Sequence, residues 1–402
     1  MTEAQSVLIK IMGNQLFDAN IELQKINEEE WDSVLTEAKQ QAVFSIAFAY
    51  LESVMPESDA YRKYYKENSA KLISDIRNYH SHNRIHEILD QNGVTYVILK
   101  GQAAARYYPN PMLRTMGDVD FLINKEDRDL VDRLLQEDGY SKLDHAEEHD
   151  FHWAYKKETA HAELHWDVPG IPASHETIIR SYLADIFEKR QLETTVNGTF
   201  YVPSDFHHGI VLLLHTINHI PTTGVGMRHL LDWLVFTESI PEEEFVKLFR
   251  EALRNIGILT FAQILTKIGV MYFGLKEKNW CRDADEKICA EFLEDVLKGG
   301  NFGRKEAVRK DQTLLIRKWN TNEVSQDSVQ KNMMESVRKK AKQDYPICEK
   351  YPFLSPVIWG VVVIQYFIKV ARGEKVNMID IKLISAANRR RSIYAELKLF
   401  EK

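Results

Sequence analysis

Two aspartates flank a single valine in the segment GDVDFLI, residues 117–123. The apolar run from Val119 to Ile123 predicts a strand, and the twofold period of a strand puts Asp118 and Asp120 on one face. Two carboxylates about 5 Å apart repel each other by roughly 3 kcal/mol at an effective dielectric constant near 20. A cation is therefore expected beside them, and carboxylate oxygens are the ligands that Mg²⁺ and Mn²⁺ prefer.

A third acid stands in the segment HAELHW, residues 161–166. Strand alternation puts His161, Glu163 and His165 on one face and the apolar residues on the other. Acids that converge from neighbouring strands would bind divalent ions, which stabilise the attacking and leaving oxygens of nucleotidyl transfer. Glu163 is also a candidate base for an acceptor hydroxyl, and an ordinary exposed strand acid is the alternative interpretation.

A glycine turn precedes the aspartates. Branched and apolar residues at 94–99 predict a buried strand that ends at Lys100 and Gly101, where a short helix begins. Gly101 would let the backbone approach a phosphate, and the N–H groups at the helix start would face it. Lys100 and Arg114 flank the turn and suit triphosphate oxygens. The alternatives are a solvated strand end for Lys100 and a structural carboxylate partner for Arg114.

Helical periodicity dominates both sides of this core. Apolar spacings of three and four predict helices through 5–90 and at 125–138, with Asn124 as the cap of the latter. Alternating patterns predict antiparallel hairpins at 151–168 and 192–202, and the rest of the chain is helix-patterned. We therefore expect an α+β protein made of an N-terminal helical segment, an α/β core and a C-terminal all-α domain, at 1–90, 91–202 and 203–402.

The C-terminal helices carry further candidates. His215 and His219 have the i, i+4 spacing of a helical zinc site, and His229 follows, but packing histidines are the alternative. Arg228 and Asp232 are also four residues apart, which predicts a helix ion pair or a contact with nucleotide or acceptor.

Composition limits the partners. The net charge of −7 and the lack of a long basic stripe argue against binding long nucleic acid, and the basic run at 337–342 is interpreted as a solvated helix face. Three cysteines without a CxxC pair predict neither a disulfide framework nor a cysteine zinc site. The apolar run at 353–370 contains Gln365 and Lys369, so we expect a buried or amphipathic helix and no membrane span. No signal-peptide pattern opens the sequence, and a cytoplasmic protein is expected.

The segment LKGQAAARYYPNPMLRTMGDVDFLI, followed by ELHW, resembles the uncharacterised nucleotidyltransferase family of the polymerase-β-like superfamily. The histidines and the Arg-x-x-x-Asp pattern within 212–236 are similar to the helical region of that family, and the resemblance extends from about residue 35 onward. It implies a polymerase-β-like core, a small mixed sheet with helices. The chain departs from the superfamily at Gln102, where Gly or Ser is usual, and at Glu163, where Asp is more usual.

The resemblance also implies roles. It makes Asp118, Asp120 and Glu163 the catalytic metal ligands, with a further set that binds nucleotide, namely Lys100, Gly101, Gln102, Arg114 and Gly117. His165, His161, Arg228 and Asp232 are secondary candidates. The implied reaction is Mg²⁺-dependent transfer of NMP from an NTP, with ATP as the expected donor, to a hydroxyl or phosphate of an unidentified small-molecule, peptide or protein acceptor, with release of pyrophosphate. The alternatives are a toxin-like transferase that modifies tRNA or protein, and a non-catalytic nucleotide-binding protein with the same fold.

Overall fold

The structure is a computed structural model. It describes residues 1–23, 26–55, 57–143, 152–195, 198–306, 309–316, 329–372 and 380–401. The strands are β1 Tyr96–Ile98, β2 Val119–Ile123, β3 Ser141–Lys142, β4 His152–Lys157, β5 Ala160–His165, β6 Gln191–Thr195 and β7 Gly198–Val202.

The helices lie in the parts of the chain where the apolar periodicity predicts them. Those up to the second hairpin are α1 Glu3–Phe17, α2 Glu28–Gln40, α3 Phe44–Val54, α4 Asp59–Gln91, α5 Gln102–Ala105, α6 Arg128–Glu137 and α7 Glu176–Leu183. Those after it are α8 Asp205–His219, α9 Met227–Ser239, α10 Glu242–Ile256, α11 Leu259–Tyr272, α12 Glu286–Gly299, α13 Arg309–Ile316, α14 Val329–Asp344, α15 Ile347–Lys350, α16 Ser355–Ala371 and α17 Ile381–Glu396.

Five strands form one mixed sheet in the order β1–β2–β5–β4–β3. β2 and β5 run parallel, whereas the other neighbouring pairs are antiparallel. β6 and β7 form a separate two-stranded ribbon. The predicted hairpins are confirmed as β4–β5 and β6–β7, and the small mixed sheet flanked by helices confirms the α+β fold class.

The sheet is covered on one face by helices. Val119 and Phe121 of β2 and Leu164 of β5 belong to a small buried cluster with Leu89 of α4 and Leu135 of α6. Because strand residues alternate between faces, this packing leaves the acidic residues of β2 and β5 on the other face.

A larger apolar core joins helices from both ends of the chain. Leu8 of α1 and Phe48 of α3 lie in the same buried cluster as Leu234 of α9 and Leu265 of α11. The side-chain amide of Gln41 donates to the carbonyl oxygen of Leu297 at 3.0 Å, which ties the two regions further. The helices on both sides of the α/β core therefore share one hydrophobic interior.

One local prediction is wrong. Asn124 makes no side-chain cap, because residues Lys125–Asp127 form a 3₁₀ turn before α6 begins. Of the two alternatives for the segment 353–370, the buried helix is excluded, since Val362 is the one buried side chain of α16. Among the described residues, Pro352–Ala371 is the one helical segment long and apolar enough to cross a membrane.

Candidate active site

Strand register brings the second aspartate and the glutamate together. Asp120 of β2 lies directly beside Glu163 of β5 in the parallel pair, so both side chains leave the same face of the sheet. Asp120 is 2% exposed, whereas Asp118, one residue before β2, is half-buried. We call Asp118, Asp120 and Glu163 the acid wall.

Two basic side chains offset the repulsion between these carboxylates. Lys100, which follows β1, forms an ion pair with Oδ1 of Asp120. Nε2 of His165 lies 3.2 Å from Oδ1 of Asp120 and 3.2 Å from Oε2 of Glu163, so it bridges the two acids. Lys100 and His165 therefore place positive charge beside the buried carboxylate of Asp120.

The charges in this group support one another. Burial raises the pKa of Glu163, but the hydrogen bond with His165 and the charge of Lys100 outweigh burial and hold that pKa at about 2. Burial lowers the pKa of His165, yet its hydrogen bonds to Asp120 and Glu163 leave that pKa above its usual value. The arrangement therefore favours an ionised Glu163 and a protonated His165.

Of the two candidate histidines on β5, only His165 lies in the site. His165, a secondary candidate from the sequence, is buried between the acids, and its ring stacks on that of His152 with the centroids 5.1 Å apart. His161 is exposed and does not line the cleft, because it lies two residues nearer the β4–β5 turn than Glu163. The structure therefore does not bring His161 to the site.

The glycine turn adopts a backbone conformation that suits glycine. Gly101 has φ +59°, and an added Cβ would lie 3.0 Å from the ring of His82 and 3.3 Å from the side chain of Met116. Lys100, Gly101 and Gly117 line the cleft, whereas the side chain of Gln102 is buried outside it.

Arg114 has a structural partner. Its Nε and Nη2 donate to the two carboxylate oxygens of Asp232 at 2.8 and 2.7 Å, and the hydroxyl of Tyr108 donates to the same carboxylate at 2.8 Å. A bidentate, buried pair of this kind holds both side chains in place. The structure therefore supports the structural alternative for Arg114, although both residues border the cleft.

The predicted ion pair between Arg228 and Asp232 is wrong, because Asp232 is held by Arg114. Arg228 instead lies with its guanidinium 5.6 Å from the ring centroid of Phe302, and its Nη1 is 3.5 Å from the carbonyl oxygen of Thr115. Among the described residues, no carboxylate forms a salt bridge with Arg228. A half-buried cation is thus left at the cleft without a close counter-charge.

Three histidines lie next to Arg228. Nitrogen atoms of His215 and His219 on α8 and of His229 on α9 lie within 4.8 Å of one another. Burial, with the charge of Lys100 in second place, keeps the pKa of His215 well below its ordinary value, and burial and Lys100 also lower that of His219 to about 3. These two imidazoles are therefore neutral near pH 7. We call these histidines and Arg228 the basic wall.

The tautomer of His229 decides whether these histidines are suited to bind zinc or to donate hydrogen bonds. The backbone N–H of Gly226 donates to Nδ1 of His229 at 3.3 Å, so a neutral ring carries its hydrogen on Nε2. That Nε2 is buried and has no hydrogen-bond partner among the described residues. A zinc ligand must present a lone pair, whereas this atom presents a hydrogen. The geometry therefore favours donation to an anion over zinc binding.

Both walls border one cleft of about 330 Å³. The sheet supplies the acids, and α8 and α9 supply the basic side chains. The sequence did not predict that these helices would reach the acids, although the histidine spacing on α8 was a signal.

The fold class is α+β, with a cleft that joins the sheet to α8 and α9. The family model of the uncharacterised nucleotidyltransferases matches residues 27–274, more than half of the chain, and the chain belongs to this family. The match ends before α12 to α17.

Other comparisons add little. Among solved structures the chain is similar to an antigenic nucleotidyltransferase-like protein from Paracoccidioides brasiliensis, with 16% identity over 52% of this chain and 95% of that chain. The TM-score is 0.32, so this likeness carries no argument here. A search of curated proteins gave no match.

Proposed function

We propose that this protein transfers NMP from an NTP, with ATP as the expected donor, to a hydroxyl or phosphate of an acceptor, with release of pyrophosphate. The observation that carries the proposal is the register of β2 and β5, which places Asp120 beside Glu163 in a cleft that also holds Asp118. Family membership supports the transferase class.

The acid wall fits a divalent cation. Its donors are hard carboxylate oxygens, and Glu163 is ionised across the physiological range because its pKa is about 2. Mg²⁺ or Mn²⁺, when bound, would neutralise charge on the phosphate oxygens of the donor. Asp118, Asp120 and Glu163 are the residues that would hold it.

The low pKa of Glu163 makes a role as general base unfavourable. A general base is most effective when its pKa lies near the working pH, and a carboxylate with a pKa of about 2 is far from that range. We therefore assign Glu163 to metal binding, with His165 as the residue that positions both its carboxylate and that of Asp120.

The basic wall is suited to the polyphosphate of the donor. Arg228 offers a guanidinium that forms no salt bridge with a carboxylate of the described residues, and His229 offers a hydrogen on Nε2. Lys100 lies beside Asp120 at the glycine turn and can reach phosphate oxygens there. In this proposal the triphosphate lies between the two walls, and the acceptor approaches past Asp118.

We expect a small-molecule, peptide or protein acceptor, because the net charge is −7 and no long basic stripe is present in the sequence. We place the reaction in the cytoplasm. The buried free thiols of Cys281, Cys289 and Cys348 are compatible with that reducing compartment.

Labelled NTPs test the proposal directly. The purified protein is incubated with each NTP, Mg²⁺ and a host extract of metabolites, tRNA and proteins, and the labelled product and pyrophosphate are identified. Label on tRNA would select the toxin-like alternative. NTP binding without any pyrophosphate release would select the non-catalytic alternative and refute the proposal.

Aspartate variants in the site, compared with an aspartate variant outside it, test the metal assignment. Asp118→Asn and Asp120→Asn should each abolish transfer, whereas Asp129→Asn, an exposed aspartate on α6, should leave it unchanged. Asp118→Asn should leave stability unchanged, but Asp120→Asn should lower it, because Lys100 and His165 lose a charged partner. Near-normal turnover in either of the two site variants would show that the metal assignment is wrong.

A further inference from the structure

α16 is an apolar helix outside the protein core. The segment Pro352–Ala371 has 20 residues, and its most apolar 18-residue stretch has a mean hydropathy of 1.8, yet only 6% of that stretch is buried. A helix that is hydrophobic all round normally lies in a protein core or in a membrane. Core packing is excluded here by exposure, and a signal sequence is excluded because the segment follows more than 300 residues of chain, most of them folded.

The two faces of α16 have different surroundings. On the inner face, Val362 is buried in a small cluster with Ala341 of α14, and Ile358 and Trp359 pack against that cluster. The other side is an apolar stripe with spacings of three and four residues, which we call the outer stripe. It begins at Phe353, in the 3₁₀ turn Pro352–Leu354 before α16, and continues on the helix at Val357, Val361, Ile364, Phe367 and Ile368. Val357 and Ile364 at its centre are 67% and 62% exposed.

Positive charge is concentrated in the segment that carries α14 and α16. Residues 330–372 contain eight Lys or Arg against three Asp or Glu, a surplus of five positive charges, whereas the whole chain carries −7 and the remainder therefore −12. Lys350 and Arg372 stand at the two ends of the helix, and Arg338 and Lys342 are exposed on α14. An apolar surface flanked by Lys and Arg is the composition that binds anionic membranes.

We propose that the outer stripe docks against the surface of an anionic lipid bilayer. The helix would lie along the interface and not across it, because its inner face packs on α14, whose exposed cations belong among headgroups and water. A second copy of this chain is a poorer occupant, since it would bring the same positive surplus against this one.

Vesicle flotation with the full chain tests this docking. The protein should float with vesicles of phosphatidylcholine and phosphatidylserine, stay unbound with phosphatidylcholine alone, and bind less as salt is raised. Val357→Glu with Ile364→Glu should cut the bound fraction by about tenfold or more, because two carboxylates must then enter the apolar layer. Ile73→Glu with Ile76→Glu, an exposed apolar pair on α4, is the control and should bind like the wild type.

Three outcomes would overturn the proposal. These are equal binding to neutral and anionic vesicles, equal loss in the control, and no binding at all. Light scattering in solution is measured in parallel. A dimer that the α16 variant converts to a monomer, without vesicle binding, would assign the outer stripe to a second copy. Circular dichroism and thermal unfolding of both variants show whether each one folds.

Discussion

Glu163→Gln removes one charge from the group of Lys100, His165 and Asp120 without changing the size of the side chain. The folded protein stabilises the ionised form of Glu163, since its pKa is about 2 against an ordinary 4.5. A depressed pKa of this kind contributes stability that is present above the unfolded value and is lost as the pH falls toward the folded value. The variant should therefore be less stable than the wild type near neutral pH.

The size of this effect follows from the shift in pKa. A difference of about 2.5 pH units at 1.36 kcal/mol per unit amounts to about 3 kcal/mol. This is an upper limit, because the carboxylate is 29% exposed and water screens part of the interaction. At about pH 3.5 the contribution should have fallen to about 2 kcal/mol, because the unfolded state is then largely protonated at this site.

Urea unfolding followed by tryptophan fluorescence measures the difference. The gap in unfolding free energy between wild type and Glu163→Gln should be largest near neutral pH and smaller at the acidic pH. Glu126→Gln, an exposed glutamate before α6, should show no gap at either pH. No loss of stability in Glu163→Gln, or a gap that does not narrow in acid, would refute the electrostatic account of this site.

The same variant should lower turnover by roughly 10²-fold or more, whereas Glu163→Asp keeps the charge and should retain partial activity. Arg228→Met should raise KM for the NTP by about tenfold or more with little loss of stability, and Arg228→Lys should restore part of the binding; an unchanged KM would remove Arg228 from the phosphate site. Gly101→Ala should destabilise the protein by about 1–3 kcal/mol in thermal unfolding, because the added Cβ meets His82 and the backbone is left-handed; a stability equal to that of the wild type would contradict this. Random RNA should bind weakly at physiological salt, and tight binding that falls steeply with salt would overturn the expected class of acceptor.

Local sequence patterns were enough to predict the helices and strands and the strand faces that carry the acids. The alternation in β2 and β5 predicted which faces carry Asp120 and Glu163, because the period of a strand is a property of the backbone and needs no tertiary information. Helix positions followed in the same way from apolar spacing, and the α+β class followed from both.

Only the tertiary structure decided the partners of the charged residues. Arg114 pairs with an aspartate 118 positions away, although Arg228, one helical turn from that aspartate, was the partner that spacing favoured. Arg114 reaches both oxygens of Asp232, and a bidentate, charge-assisted pair of this kind is stronger than a single contact. That exchange left Arg228 at the cleft without a salt bridge to any carboxylate of the described residues.

The exposure of α16 likewise could not be predicted from the sequence. The sequence of an apolar helix has the same pattern whether a protein core, a second chain or a lipid surface covers the helix. The reason is that apolar side chains favour any environment that excludes water. The sequence by itself determined that the segment 353–370 is helical and apolar, that Asp118 and Asp120 share a face of their strand, and that Glu163 lies opposite the apolar face of its own strand. The fold decided that α8 and α9 meet those acids and that the outer stripe of α16 faces outward, because both depend on contacts between residues far apart in the chain.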